Sequence, residues 1–117
     1  MSVGFNHIII FNNNGKIVDY QKAYNNQYAK TVKIFFPSNI NNRKNYSAIL
    51  STAINNTYPK QVEFVEGVKS ETDLNCYVFD LSEIYRKYKN LQKIGLTRVK
   101  LICDSGRDKF CSETFRI

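Results

Sequence analysis

The sequence predicts a mostly β fold: a two-sheet immunoglobulin-like sandwich with one short helix, built as a single domain over residues 1–117. Three observations predict it. The chain holds 8 Tyr and 8 Phe beside many Ile and Val, residue types that suit pleated, half-buried surfaces. Short stretches of alternating apolar and polar residues recur along it, about seven or eight in all. Turn signals separate those stretches at spacings of roughly 8 to 15 residues, the pattern of a two-sheet sandwich.

Phe5 to Phe11 reads as the first strand and Lys16 to Tyr20 as the second. Asn12-Asn13-Asn14-Gly15 lies between them, and Asn-Gly accepts the positive φ of a hairpin turn. Further Asn pairs at Asn25-Asn26, Asn41-Asn42 and Asn55-Asn56 mark bends in a chain with only 2 Pro and 5 Gly. A polar connector, Gln21 to Gln27, precedes a third strand from Tyr28 to Phe36. Tyr28, Val32, Ile34 and Phe36 share one face of it, and Ala29, Thr31, Lys33 and Phe35 share the other. Lys30 breaks the first face near its edge, and Pro37 ends the strand because it cannot donate to a ladder. Ser38 to Asn45 is loop.

Tyr46 to Ile54 admits two readings. Ile49, Leu50 and Ala53 fit a short helix, while Tyr46, Ala48, Leu50 and Ile54 fit a strand, the reading preferred. Gln61 to Val65 alternates with Val62 and Phe64 on one face. In the next strand Leu74, Cys76 and Val78 form the expected inward face, opposite Tyr77 and Phe79. Leu81, Ile84, Tyr85 and Tyr88 then recur at helical spacing, predicting a helix from Leu81 to Asn90 with Asp80 and Glu83 as a capping box. Gly95 restarts extended chain. Leu96 to Cys103 presents Val99, Leu101 and Cys103 on one face, and Asp104-Ser105-Gly106-Arg107-Asp108 makes a turn. Phe110 to Ile117 closes the domain with Cys111, Phe115 and Ile117 on one face, on which Glu113 also falls, in conflict with burial.

The formal net charge is +7. Such a surplus raises nucleic acid as a partner, but the cations are scattered, with Arg86-Lys87-Tyr88-Lys89 the densest stretch. This distribution reads as a solvated basic surface and argues against nucleic acid, with an acidic protein partner as a further alternative. The first residues lack a basic segment, and the run Ile8-Ile9-Ile10-Phe11 is too short for a signal peptide. No stretch approaches a membrane span, so no membrane contact is expected. Synthesis in a reducing cytosol follows, with Cys76, Cys103 and Cys111 as free thiols on inward faces. Two glycosylation sequons, at Asn45 and Asn55, carry no weight without secretion.

Catalytic chemistry finds no residue set. The single histidine, His7, sits inside a predicted strand, where a structural role is expected. Zinc sites need close ligand pairs, and here the nearest cysteines, Cys103 and Cys111, flank a hairpin instead. A cross-strand disulfide between those two is conceivable, but free thiols are the preferred reading. No Gly-rich phosphate loop is present, and Gly106 stands alone in its turn. The pairs Glu63 with Glu66 and Asp104 with Asp108 read as surface and turn residues. Tyr85 and Tyr88, interleaved with cations as in a base-stacking surface, read as the buried side of the helix. The sequence therefore predicts no enzyme, no cofactor, and neither catalytic, cofactor-binding nor metal residues.

Three segments resemble the N-terminal domain of phage baseplate upper proteins, found in tailed phages of Gram-positive bacteria. Asn25-Asn26-Gln27-Tyr28-Ala29-Lys30-Thr31-Val32-Lys33-Ile34 is similar to that family's first strand after a polar lead-in. Cys76-Tyr77-Val78-Phe79-Asp80-Leu81-Ser82-Glu83-Ile84 is similar to its strand and short helix before the last hairpin. Gly95-Leu96-Thr97-Arg98-Val99-Lys100-Leu101-Ile102, then Asp104-Ser105-Gly106, then Ser112-Glu113-Thr114-Phe115-Arg116-Ile117 resembles its closing hairpin. The segment Ser38 to Asn45 has no counterpart there. The resemblance implies an immunoglobulin-like sandwich that docks onto other virion proteins. It would assemble as a homo-oligomer around the tail tip or present receptor-binding proteins to the host. It implies a virion location and no catalytic residues. A head decoration or head-fibre domain, and a small basic nucleic-acid-binding phage protein, are the alternatives.

Overall fold

The computed structural model describes residues 5–22, 29–40, 44–54, 61–88 and 95–117. The chain runs β1 (Phe5–Phe11), β2 (Ile17–Lys22), β3 (Ala29–Phe35), β4 (Tyr46–Ile54), β5 (Gln61–Glu66), β6 (Val68–Lys69), β7 (Cys76–Asp80), α1 (Ser82–Lys87), β8 (Leu96–Cys103), β9 (Asp108–Cys111) and β10 (Phe115–Arg116). One sheet has the order β2-β1-β3-β7-β6, and the other β10-β8-β4-β5 with β9 also paired to β8. The fold is a mostly β, two-sheet sandwich with one short helix among the described residues. Tyr28, the Asn pairs at 25–26, 41–42 and 55–56, and the end of the predicted helix at 89–90 lie outside those residues.

Alternation builds both inner faces. Val32, Ile34 and Phe36 are buried, as their period of two requires. They meet Ile9 and Phe79 on the same sheet and Leu50, Ile54, Val99 and Leu101 from the other, all in one apolar cluster. The strand reading of Tyr46–Ile54 holds: Ala48, Leu50, Thr52 and Ile54 point inward, and the buried Thr52 hydroxyl donates to the Glu63 carbonyl at 3.2 Å. Phe36 meets Phe110 edge-on, centroids 5.1 Å apart, and Phe110 meets Phe11 at 5.7 Å. Such pairs add about 0.5–1.5 kcal/mol each beyond their buried area.

Several local expectations are overturned. In β7 the core is reached by Tyr77 and Phe79, while Leu74 lies outside the strand and exposed. Cys76 is nevertheless buried on the opposite face, beside Phe35 in register. The capping box does not form. Leu81 is the N-cap of α1, Asp80 instead accepts the Ser82 N–H at 2.9 Å, and Glu83 turns to Arg86. The β1–β2 turn keeps the expected Asn-Gly chemistry, with Gly15 at positive φ; among the described residues Asn75 and Gly106 are also left-handed. In the β1–β2 turn Asn12 acts through its side chain, whose oxygen accepts from the Asn14 and Lys16 N–H groups.

The last predicted strand is two short ones. The break at Ser112–Thr114 shifts the alternation, so Phe110 and Ser112 are buried before it and Phe115 and Ile117 after it. Cys111 consequently faces solvent, against the expectation of an inward thiol. The conflict over Glu113 resolves through polar partners. Its carboxylate accepts the Ile17 N–H at 2.9 Å and pairs with Lys16 at 3.5 Å, while its own N–H donates to the Gly15 carbonyl at 2.7 Å.

Candidate functional site

β5 is the last strand of its sheet, with β4 on one side and no strand on the other among the described residues. Its open side can be worked out from single bonds. Gly67 donates its N–H to the Ala48 carbonyl at 2.8 Å, just beyond the pairing of Ile49 with Glu66. In an antiparallel pair, successive residues direct their N–H and C=O groups to alternate sides. Glu63 and Val65 therefore bond toward β4, while Val62, Phe64 and Glu66 direct their backbone groups to the open edge. The same three residues project their side chains from the outer face, where Phe64 is 71% and Val62 52% exposed.

Gly67 is what carries the chain from this edge into the other sheet, where β6 pairs with β7. A Cβ at Gly67 would come within 2.7 Å of the Phe79 ring, so the crossing passes directly over that buried aromatic. The helix α1, which follows β7, then lies beside the open edge. Glu63, Phe64, Val65 and Glu66 on one wall face Asp80, Glu83, Ile84, Arg86 and Lys87 on the other across a groove of about 560 Å³.

The Glu63 carboxylate closes one end of this groove. It accepts Lys87 Nζ at 2.6 Å and the Tyr88 hydroxyl at 2.9 Å, tying helix to strand. The bond from Lys87, and then that from Tyr88, hold the Glu63 carboxyl below the usual range. The same bonds to Glu63 push the Lys87 ammonium and the Tyr88 hydroxyl up. Across the helix surface Arg86 pairs with Glu83 at 2.6 Å. Among the described residues four carboxylates and two cations line the groove, and both cations pair with groove carboxylates. It is an acidic strip on a chain whose net charge is +7.

On the outer face beyond the edge the sign reverses. Phe64 stands opposite Ser51, and Ser51 opposite Arg98; Glu66 stands opposite Ile49, and Ile49 opposite Lys100. Arg116 pairs with the exposed Leu96 in the same sheet.

The residues weighed from the sequence are scattered. His7 is buried, with Nδ1 2.6 Å from the Tyr20 hydroxyl, and burial first, then the Lys22 charge, lower its pKa to about 4. Cys76 is buried and its thiol pushed up by that burial. Hydrogen bonding at Ser105 lowers the Cys103 thiol. Cys111 pairs with Lys100 and not with Cys103, and the two sulfurs lie on opposite faces, so the hairpin does not bring them together. Among the described residues no three His, Cys, Asp or Glu side chains cluster as metal ligands. Glu63 and Glu66 fall on opposite faces of β5, and Tyr85 and Tyr88 pack against the core as expected. Sequence reasoning did not find the groove. The alternation of Val62 and Phe64 was visible, but the charge partner of Glu63 lies 24 residues away.

A two-sheet β-sandwich with one acidic groove at an open edge is the class that fold and site define. No protein-family model, curated protein or solved structure matches the chain.

Proposed function

We propose that this protein is a non-enzymatic contact domain, and specifically a virion structural or adaptor domain of a tail baseplate or receptor-binding apparatus. The observation that carries the contact reading is the edge of β5, which sets Val62 and Phe64 in solvent beside strand backbone that no other strand pairs with among the described residues. Proteins usually shield such edges, because they pair readily with other chains. The virion setting, the immunoglobulin-like variety of sandwich and a homo-oligomeric assembly are supported by the resemblance carried by Asn25–Ile34, Cys76–Ile84 and Gly95–Ile117.

The test is association with particles. Tagged protein is expected to co-sediment with phage tails, and a Val62→Asp, Phe64→Asp variant to lose that association while unfolding at the same temperature. Absence from both tail and head fractions, together with normal assembly of phage lacking the protein, rejects the virion reading. Electron microscopy of gold-labelled particles separates a baseplate location from head decoration.

A second reading has its own observation. Arg98, Lys100 and Arg116 share the outer face with the exposed Phe64, a mixture of cation and aromatic that suits a nucleic-acid strand. Salt-dependent retention on single-stranded DNA supports it, and no binding at low ionic strength rejects it.

A further inference from the structure

We infer that the groove between β5 and α1 captures an extended basic peptide segment, which adds as a strand to the open edge of β5. The inference rests on the contact-domain reading and names the partner chemistry of that site. Backbone supplies the first part of the recognition. Val62, Phe64 and Glu66 direct N–H and C=O groups away from β4, and an extended chain alongside them completes the ladder regardless of its sequence.

Side chains supply the second part. A strand laid along this edge alternates its residues between two environments. One set lies on the outer face beside Phe64 and Val62, where apolar side chains cover an exposed aromatic. The other set faces Val65, Ile84 and the carboxylates of Asp80 and Glu83 across the groove. The groove carries more carboxylates than cations, and Arg86 and Lys87 are held by Glu83 and Glu63. Lysine or arginine at alternate positions is the complement of that wall.

A second copy of the chain fits less well. α1 forms the far wall of the groove, beside the edge that a second copy would approach with β5 and β4 together. A second β5 would also bring its Glu63, the inward-facing carboxylate of the strand, toward a wall that is already acidic.

Fluorescence anisotropy with a labelled Lys-Val-Lys-Ile-Lys-Val-Lys peptide tests this on the full chain. Saturable binding is expected. The same peptide N-methylated at its Val and Ile nitrogens should bind at least about tenfold more weakly, because one edge of its backbone can no longer donate. The Glu-Val-Glu-Ile-Glu-Val-Glu counterpart should not bind. On the protein, Phe64→Pro removes an outward N–H while leaving the bonds to β4, a substitution that edge strands accept. It should weaken binding at least about tenfold beyond Phe64→Ala, with both variants unfolding at similar temperatures. Equal binding of the N-methylated peptide, or of the acidic counterpart, overturns the inference without relying on any variant. Dimerisation through β5 with no peptide binding also overturns it. Particle association that persists when no peptide binds sinks the groove alone and leaves the contact reading standing.

Discussion

The carboxylate of Glu113 accepts the backbone N–H of Ile17 at 2.9 Å, across 96 residues of sequence. That bond joins the start of β2 in one sheet to the segment before β10 in the other. Glu113 also donates its own N–H to the Gly15 carbonyl, so the β1–β2 turn is held from two sides. The bond from Ile17 is the main reason that the carboxyl titrates below the usual range, with Lys16 adding to it.

Replacing Glu113 tests this clasp. Glu113→Ala is expected to lower the unfolding temperature more than Glu113→Gln, which keeps an acceptor for the Ile17 N–H. Because the folded carboxyl titrates below the unfolded one, its stabilisation is present above the unfolded value and is lost as pH falls through the folded value. Calorimetry below about pH 4.5 should therefore show a shallower acid slope for the alanine variant.

Gly15 and Gly106 both have positive φ, at 76° and 79°, yet they predict different costs. A Cβ at Gly15 would stand 2.4 Å from the Cys111 carbonyl oxygen, whereas one at Gly106 meets nothing within 4 Å. Gly106→Ala should cost about 1 kcal/mol, the price of left-handed backbone alone. Gly15→Ala should cost clearly more, about 2–4 kcal/mol, since the turn must also leave its dock on Cys111. Urea unfolding of the two variants compares them directly, and equal losses would show that the dock is not rigid.

His7 makes stability depend on pH in a definite window. Its folded pKa of about 4 lies below the unfolded value of 6.5, so between these values the unfolded chain binds the extra proton. Stability should fall as pH drops from 6.5 toward 4, by up to about 3 kcal/mol, and this contribution should level off below pH 4. His7→Gln should flatten that part of the profile. The difference between the two curves separates His7 from Glu113 and Glu63, whose lowered pKa values act below about pH 4.5.

The three thiols should react in order of access. Cys111 is exposed and should be modified first by a thiol reagent under native conditions. Cys76, buried and with a raised pKa, should react only as the chain unfolds. Cys111→Ser should remove the fast phase and leave the others, read by mass spectrometry at successive times.

The alternation of short strands was legible because side-chain direction along a strand is local. Val32, Ile34 and Phe36, like Val99, Leu101 and Cys103, declare a common face from their spacing alone, and each set is buried. Turn chemistry was legible in part, since Gly15 takes the positive φ expected of its Asn-Gly turn. Spacing cannot say which of two faces meets the core. In β5 the face of Val62 and Phe64 points outward, because β4 presents its buried residues opposite Glu63 and Val65. Near the C-terminus the break at Ser112–Thr114 resets the alternation, turning Phe110 inward and Cys111 outward. The sequence by itself determined that the chain forms strands, where most of them lie, and that it pairs them into a two-sheet sandwich. Only the tertiary structure decided which strand is left at an edge, that α1 walls it, and that Glu63 meets Lys87 and Tyr88 there. A period of two defines faces relative to one another, and only long-range pairing assigns them an inside.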